Sequence, residues 1–134
     1  MTLTERIFAL SRLPGFDQLP ADELLAVAAS MTERRYNPGD VVVPAGVSMW
    51  HLLVVVRGQL HSEPSRQAAP AVIGADLLLT NRPVPEALRA DEEHGAVCLR
   101  MNKGHFFTVV NECPALLLEM ARLRVSHSVE PVQP

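Results

Sequence analysis

The chain has 134 residues, of which 48% are hydrophobic and 20% are charged, and its formal net charge is -3. This length suits a single domain with one substantial core, and the composition excludes a disordered chain. The acidic balance and the scattered basic residues argue against nucleic acid as a partner of this segment. No apolar run approaches the roughly 20 residues that a membrane helix needs, so we predict no membrane insertion and a cytoplasmic location.

Two helices are predicted in the first third of the chain. Apolar residues recur at helical spacing from Leu3 to Leu10, which indicates an amphipathic helix over residues 4 to 12 that ends before Pro14. A second helix should begin at Pro20, where the missing N–H costs nothing. Its predicted apolar residues are Leu24, Leu25, Ala28 and Met31.

Short strands are predicted from residue 32 onward. The turn residues Asn37-Pro38-Gly39-Asp40 separate a segment around Glu33 to Tyr36 from the β-branched run Val41-Val42-Val43. The stretch His51 to Arg57 is rich in Leu and Val, which favours a buried strand. Gly58 is predicted to end that strand at a tight turn.

The strand after Gly58 should be its partner, Gln59 to Ser62, and the polar stretch Glu63 to Pro70 reads as an exposed hairpin tip. The last strands are predicted over Leu88 to Asp91 and Ala96 to Asn102, where alternation of the side chains makes Cys98 half-buried.

Helices are predicted to close the domain. Asn102 can cap a helix that carries a buried Phe106. Pro114 can open another, whose apolar residues are Leu116, Leu117, Met120 and Leu123. We expect one domain over residues 1–128 and a disordered tail over residues 129–134.

The stretch from Val72 to Ala90 resembles the phosphate-binding cassette of cyclic-nucleotide-binding domains, in which a strand runs through a glycine into a short helix and a proline-bearing turn. Further landmarks are similar to that family: the turn at Asn37 to Asp40, the spacing of Gly46 and Gly58, and the segment from Val97 to Phe106. The resemblance covers residues 5 to 125. It implies a mainly β fold of the α+β class, an antiparallel, jelly-roll-like β-roll with N-terminal and C-terminal helices.

The resemblance also implies where a ligand would bind. The corresponding residues here are Gly74, Ala75, Asp76, Arg82, Val84, Pro85 and Glu86. In the family an acid after the glycine holds the ribose hydroxyl, and an arginine after the proline clamps the cyclic phosphate. Ala75 and Val84 occupy those two positions, so we predict weak or no binding of cAMP and cGMP. Arg82 is predicted to be an exposed loop residue.

The resemblance implies that the chain is a regulatory sensor or a protein-interaction module. It would act through a protein partner or a fused output domain, and it could form a homodimer. We predict no cofactor, a cyclic nucleotide being the one candidate ligand. The first alternative is a small-molecule receptor that binds a cyclic nucleotide in a non-standard mode or binds another ligand. The second is a cupin-like metal-binding enzyme.

The sequence gives little support to catalysis or to a metal site. No serine lies in a Gly-x-Ser-x-Gly motif, and no His-x-His pair is present, so we predict that the chain is not an enzyme. Only His51 and His61 could meet, across a hairpin. Trp50 is predicted to belong to the core rather than to an interface, and Cys98 and Cys113 are expected to be reduced thiols.

Overall fold

The computed structural model describes residues 1–62, 65–69 and 71–116, with the backbone alone for residues 65–68. The helices are α1, Leu3–Ser11; α2, Ala21–Ser30; α3, Ala75–Thr80; and α4, Lys103–Glu112. A short 3₁₀ turn, Phe16–Gln18, lies between α1 and α2. The strands are β1, Thr32–Tyr36; β2, Val41–Val43; β3, His51–Ser62; β4, Ser65–Ala68; β5, Ala71–Ile73; β6, Leu88–Ala90; and β7, Ala96–Asn102.

The two N-terminal helices form where they were predicted. Helix α1 starts with a capping box, in which the Thr2 hydroxyl accepts from the Glu5 amide and the Glu5 carboxylate accepts from the Thr2 amide. Helix α2 follows Pro20, as expected. One of its predicted core residues is wrong: Leu25 is 44% exposed, and Val27 is buried instead, because Val27 shares the helix face of Leu24.

The sheet is built around the long strand β3. Seven strands pair, every pair is antiparallel, and the main order is β1-β7-β3-β6-β2. The first half of β3 pairs with β7 and β5, and its end pairs with β6 and β4. A bulge between Val55 and Arg57 bends the strand, and the pairing with β7 ends at Gly58. The fold is therefore the predicted antiparallel β-roll with flanking helices.

Gly58 corrects one prediction, because it does not end the strand. It lies inside β3 with φ of +74° and pairs with Ala96, and the strand continues to Ser62. The partner of Gln59 to Ser62 is β4, within the stretch that was predicted to be an exposed hairpin tip. Residues 63, 64 and 70 of that stretch lie outside the described residues.

One hydrophobic core lies between the roll and the helices. Its wholly buried side chains include Phe16, Phe106, Leu10, Leu52, Leu60, Leu78, Leu99 and Leu116. The predicted α4 is confirmed: the Asn102 side chain accepts from the His105 amide at 2.8 Å, and Phe106 is 0% exposed. Cys98 is wholly buried rather than half-buried, because both faces of β7 are covered.

Trp50 was predicted to be in the core, and this is wrong. The side chain is 68% exposed, and the Lys103 ammonium lies 5.9 Å from the centre of its ring. Trp50 stands one residue before β3, where the chain has not yet entered the sheet. The exposed indole is held at the surface by an interaction with a cation rather than by packing.

A helical segment opens at residue 114 as predicted, and Leu116 in it is buried. The other predicted apolar positions of that helix, Leu117, Met120 and Leu123, lie outside the described residues, as does the predicted tail 129–134. In the part of the chain that is described, every helix is too short or too polar to cross a lipid bilayer.

Candidate functional site

The segment that resembles a phosphate-binding cassette begins at Gly74, between β5 and α3. Gly74 has φ of +102°, caps α3 without a side chain, and accepts from the Leu78 amide at 2.9 Å. A Cβ atom at this position would lie 2.6 Å from Cε and 2.8 Å from Sδ of Met49. Glycine is therefore favoured here for its backbone conformation, whereas the end of the flexible Met49 side chain could move to admit a Cβ atom.

The other end of α3 is closed by Asn81, which takes the left-handed conformation with φ of 54°. The Asn81 side chain accepts from the Lys103 ammonium at 2.9 Å, which ties the cassette to the start of α4. Arg82 follows and is exposed, as predicted, and its Nε donates to the Thr80 hydroxyl at 3.1 Å. That hydrogen bond holds the guanidinium against the end of α3.

Val84 is fixed by a backbone pairing with the turn before β3. Its amide donates to the Val47 carbonyl at 3.0 Å, and its carbonyl accepts from the Gly46 amide at 2.7 Å. The side chain is only 5% exposed, whereas Pro85 and Glu86 are exposed. The position that corresponds to the family's arginine is thus held by a rigid backbone and carries an apolar side chain.

A cleft of about 290 Å³ lies against this segment. Its lining residues are Met49, Ser62, Val72, Ile73, Gly74, Asp76, Leu77, Val84, Pro85, Glu86 and Leu88. Five of the predicted site residues line it, while Ala75 and Arg82 do not. The structure thus gathers most of the predicted site around one cleft of nearly the size, about 300 Å³ or more, of small-molecule sites.

The predicted site lacked six residues of the lining: Val72, Ile73, Leu77 and Leu88 within the cassette segment, and Met49 and Ser62 outside it. Ser62 reaches the cleft because β3 continues beyond Gly58, which the sequence interpretation had taken for a turn. Extending the predicted strand through Gly58 would have placed Ser62 on the same strand as the start of β3. No feature of the sequence near Met49 indicates its contact with Gly74.

The cleft is acidic. Asp76 and Glu86 line it, and no lysine, arginine or histidine is among its described lining residues. Asp76 lies in the first turn of α3, where the positive end of the helix dipole favours a carboxylate. The negative charge of that carboxylate in turn offsets part of the positive potential at the helix end. An anionic ligand in this cleft would therefore lie close to two carboxylate side chains, those of Asp76 and Glu86.

The histidines do not form the pair that a metal site would need. His51 and His61 lie near opposite ends of the same strand, β3, so they do not meet across a hairpin, which the sequence had left possible. Burial, and then the charge of Arg100, lowers the pKa of His51. Within residues 1–62, 65–69 and 71–116, no group of three or more His, Cys, Asp or Glu side chains could hold a metal ion.

Neither protein-family models nor curated protein sequences give a match to this chain. Solved structures do match this chain. The chain is similar to the regulatory subunit of a cAMP-independent protein kinase A from Trypanosoma brucei, with a TM-score of 0.78 and 17% identity over 90% of this chain and 45% of that one. A triple mutant of that subunit, described as bound to cAMP in the A site, is also similar. Its TM-score is 0.75 and its identity is 18%, over 96% of this chain and 49% of that one.

A third similar structure is the catabolite activator protein of Thermus thermophilus, with a TM-score of 0.71 and 16% identity over 88% of this chain and 59% of that one. The fold is that of cyclic-nucleotide-binding domains. The chain spans about half the length of the three structures, from 45% to 59%.

Proposed function

We propose that this chain is a regulatory or protein-interaction module that keeps the cyclic-nucleotide-binding fold and binds cAMP and cGMP weakly or not at all. The observation that carries the proposal is the charge of the cassette cleft, which Asp76 and Glu86 line and no described basic side chain does. Val84 stands where the resemblance places the arginine that would clamp the phosphate. The cleft has the size of a binding site, but its described lining has no basic side chain that could bind a phosphate.

The size of the expected loss follows from the two missing side chains. A hydrogen bond to a charged group contributes about 1.5 to 3 kcal/mol, so losing the phosphate clamp and the ribose acid costs about 3 to 6 kcal/mol. That corresponds to a loss of about a hundredfold to ten-thousandfold in affinity. A site of micromolar affinity would become millimolar or weaker.

The kinase subunit from Trypanosoma brucei supports this interpretation, since it is described as cAMP-independent. The fold is thus compatible with a regulatory protein that does not answer to cAMP. In its mutant bound to cAMP, one of three substitutions replaces a threonine with an arginine. An introduced arginine is therefore compatible with cAMP binding in such a domain.

The proposed mode of action is contact with a protein partner or a fused output domain. The similar structures described above are kinase regulatory subunits and a catabolite activator protein, which supports a non-enzymatic role. A cytoplasmic location and a homodimer stay predictions. Fractionation of cells and measurement of the mass in solution would test these two.

Titration calorimetry with cAMP and with cGMP tests the proposal directly. We expect no saturable heat up to about 1 mM nucleotide, with circular dichroism of the same sample showing folded protein. A dissociation constant at or below about 10 μM, near -7 kcal/mol, would show that the two missing side chains are not needed.

A receptor for another ligand is the second candidate, and the open cleft of about 290 Å³ favours it. Because Asp76 and Glu86 line that cleft, its ligand would be neutral or cationic. A thermal-shift panel of cyclic nucleotides, nucleosides and divalent metal ions distinguishes the candidates. Stabilisation by a nucleoside alone would favour the receptor, and stabilisation by a metal ion would favour the cupin-like alternative.

A further inference from the structure

A second cleft, which we name the Arg100 cavity, lies beside the cassette cleft and has a volume of about 180 Å³. Its lining residues are Tyr36, Val42, Val43, Pro44, Val47, Ser48, Met49, Trp50, His51, Leu53 and Arg100. Met49 lines both clefts and stands between them. None of the predicted site residues lines the Arg100 cavity.

Arg100 is the only charged side chain that lines the cavity, among the residues that the structure describes. Its Nε atom is buried and has no hydrogen-bond partner in the described part of the chain. No described carboxylate forms an ion pair with it. A buried guanidinium nitrogen without a partner is costly, so this donor requires an explanation.

Three neutral polar side chains line the cavity with Arg100: Ser48, His51 and Tyr36, whose hydroxyl interacts with the Arg100 guanidinium. Burial, more than any nearby charge, raises the pKa of Tyr36, so its hydroxyl keeps its proton at neutral pH. Burial and the Arg100 charge lower the pKa of His51, so its imidazole is neutral there. Both groups can then donate a hydrogen bond to an anion. With the Ser48 hydroxyl, the Arg100 cavity combines one positive charge with three neutral donors, the opposite of the acidic cleft beside it.

The remaining walls are mostly apolar. Val42, Val43, Val47 and Leu53 line the cavity, and the exposed ring of Trp50 borders it. The volume of about 180 Å³ is well below the roughly 300 Å³ at which drug-sized sites begin, which restricts the ligand to a small molecule. A compact apolar body with one anionic end matches both the walls and the charge.

We propose that the Arg100 cavity binds a small monocarboxylate with an apolar body, whose carboxylate accepts from Arg100 and Tyr36. A carboxylate presents two acceptor oxygens in the plane that a guanidinium matches, and it satisfies the unpaired Nε. The apolar body packs between Val43, Val47 and the Trp50 ring. The proposal does not depend on the cassette cleft, so a negative result here would leave the proposed function untouched, and the reverse also holds.

Benzoate is the probe, and Trp50 is the reporter, since it is the single tryptophan of the chain and borders the cavity. We expect benzoate to change the Trp50 fluorescence saturably, with a dissociation constant of about 0.1 to 1 mM, as a nine-atom ligand allows. Benzamide, the neutral isostere, should bind at least about tenfold more weakly because it lacks the charge. Equal responses, or a response that does not saturate, would overturn the proposal.

Variants of the full chain locate the site. Arg100→Gln should weaken benzoate at least about tenfold, and Tyr36→Phe about threefold, with circular dichroism as the check on folding. Arg57→Gln, an exposed arginine of the same strand as His51, should leave the affinity unchanged. Unaltered affinity in a folded Arg100→Gln variant would refute the site. Should that variant not fold, the effect of Tyr36→Phe and the comparison of benzoate with benzamide decide the question without it.

Discussion

Gly58 and Gly95 approach so closely that a Cβ atom on Gly58 would lie 2.3 Å from the Gly95 carbonyl oxygen. Gly58 also has φ of +74°, and it is the last residue of β3 that pairs with β7 before the strand continues beside β4 and β6. The Gln59 amide donates to the same Gly95 carbonyl, at 3.5 Å. This contact of two backbones is where the roll bends, and it leaves no room for a side chain.

The first prediction is that Gly58→Ala strongly destabilises the domain. The left-handed conformation alone costs an alanine about 1 to 2 kcal/mol. The clash with Gly95 adds to this cost because backbone, rather than a flexible side chain, would have to move. Gly46→Ala is the matched control, since Gly46 has φ of +81° and nothing within 4 Å of the added Cβ. Denaturant unfolding should show a clearly larger loss at Gly58, and equal losses would contradict the close approach.

The second prediction concerns the packing of α4. Phe106→Ala should lower the free energy of unfolding by about 3 to 5 kcal/mol, because a wholly buried aromatic side chain is removed. The neighbouring Phe107 is 38% exposed and is the natural control. Phe107→Ala should cost clearly less in the same denaturant titration. A loss below about 1 kcal/mol for Phe106→Ala would mean that α4 does not pack on the roll as described.

Much of the fold could be predicted because local chemistry specifies it. The turn at Asn37 to Asp40 forms with its own hydrogen bonds, from the Asp40 amide to the Asn37 carbonyl and from the Asn37 amide to the Asp40 carboxylate. Asn102 caps α4 through the amide three residues on. Such interactions lie within four residues of one another, so a single sequence shows them.

Some of the errors arise because the conformation depends on parts of the chain that are distant in sequence. Gly58 reads as a turn locally, but its conformation serves the contact with Gly95, across the sheet. The exposure of Trp50 depends on where the chain enters β3. The same holds at the site: glycine and proline spacing indicated the cassette, whereas Ser62 joins the cleft only through the course of the whole strand.

The third prediction is that the two cysteines differ in reactivity. Burial raises the pKa of the Cys98 thiol to about 12, so almost none of it is thiolate at neutral pH, and the side chain is 0% exposed. Cys113 is only partly buried. Iodoacetamide at pH 8 should therefore alkylate Cys113 long before Cys98, as measured by peptide mass spectrometry. In about 6 M guanidinium the two rates should converge, and fast labelling of Cys98 in the native protein would contradict its burial.

The fourth prediction tests whether the cassette backbone still has a binding geometry. Ala75→Glu with Val84→Arg should give measurable affinity for cAMP, because Val84 lines the cleft and its backbone is fixed by Gly46 and Val47. An arginine there would donate to the cyclic phosphate, which is worth about tenfold to a hundredfold in affinity. The gain should be partial, because Asp76 and Glu86 would still repel the phosphate.

Adding Glu86→Ala to that pair should raise the affinity further, since it removes one carboxylate from the lining of the cleft. The combined gain should exceed the product of the separate gains, because the arginine attracts the phosphate more strongly once it has no acid beside it. Leu79→Arg is the control, since it adds the same charge at an exposed position of α3 that does not line the cleft. Calorimetry measures the affinities, and circular dichroism verifies folding. If the triple variant is folded and binds no cAMP at millimolar concentration, the cassette backbone is not in a binding geometry and the domain acts as a scaffold alone.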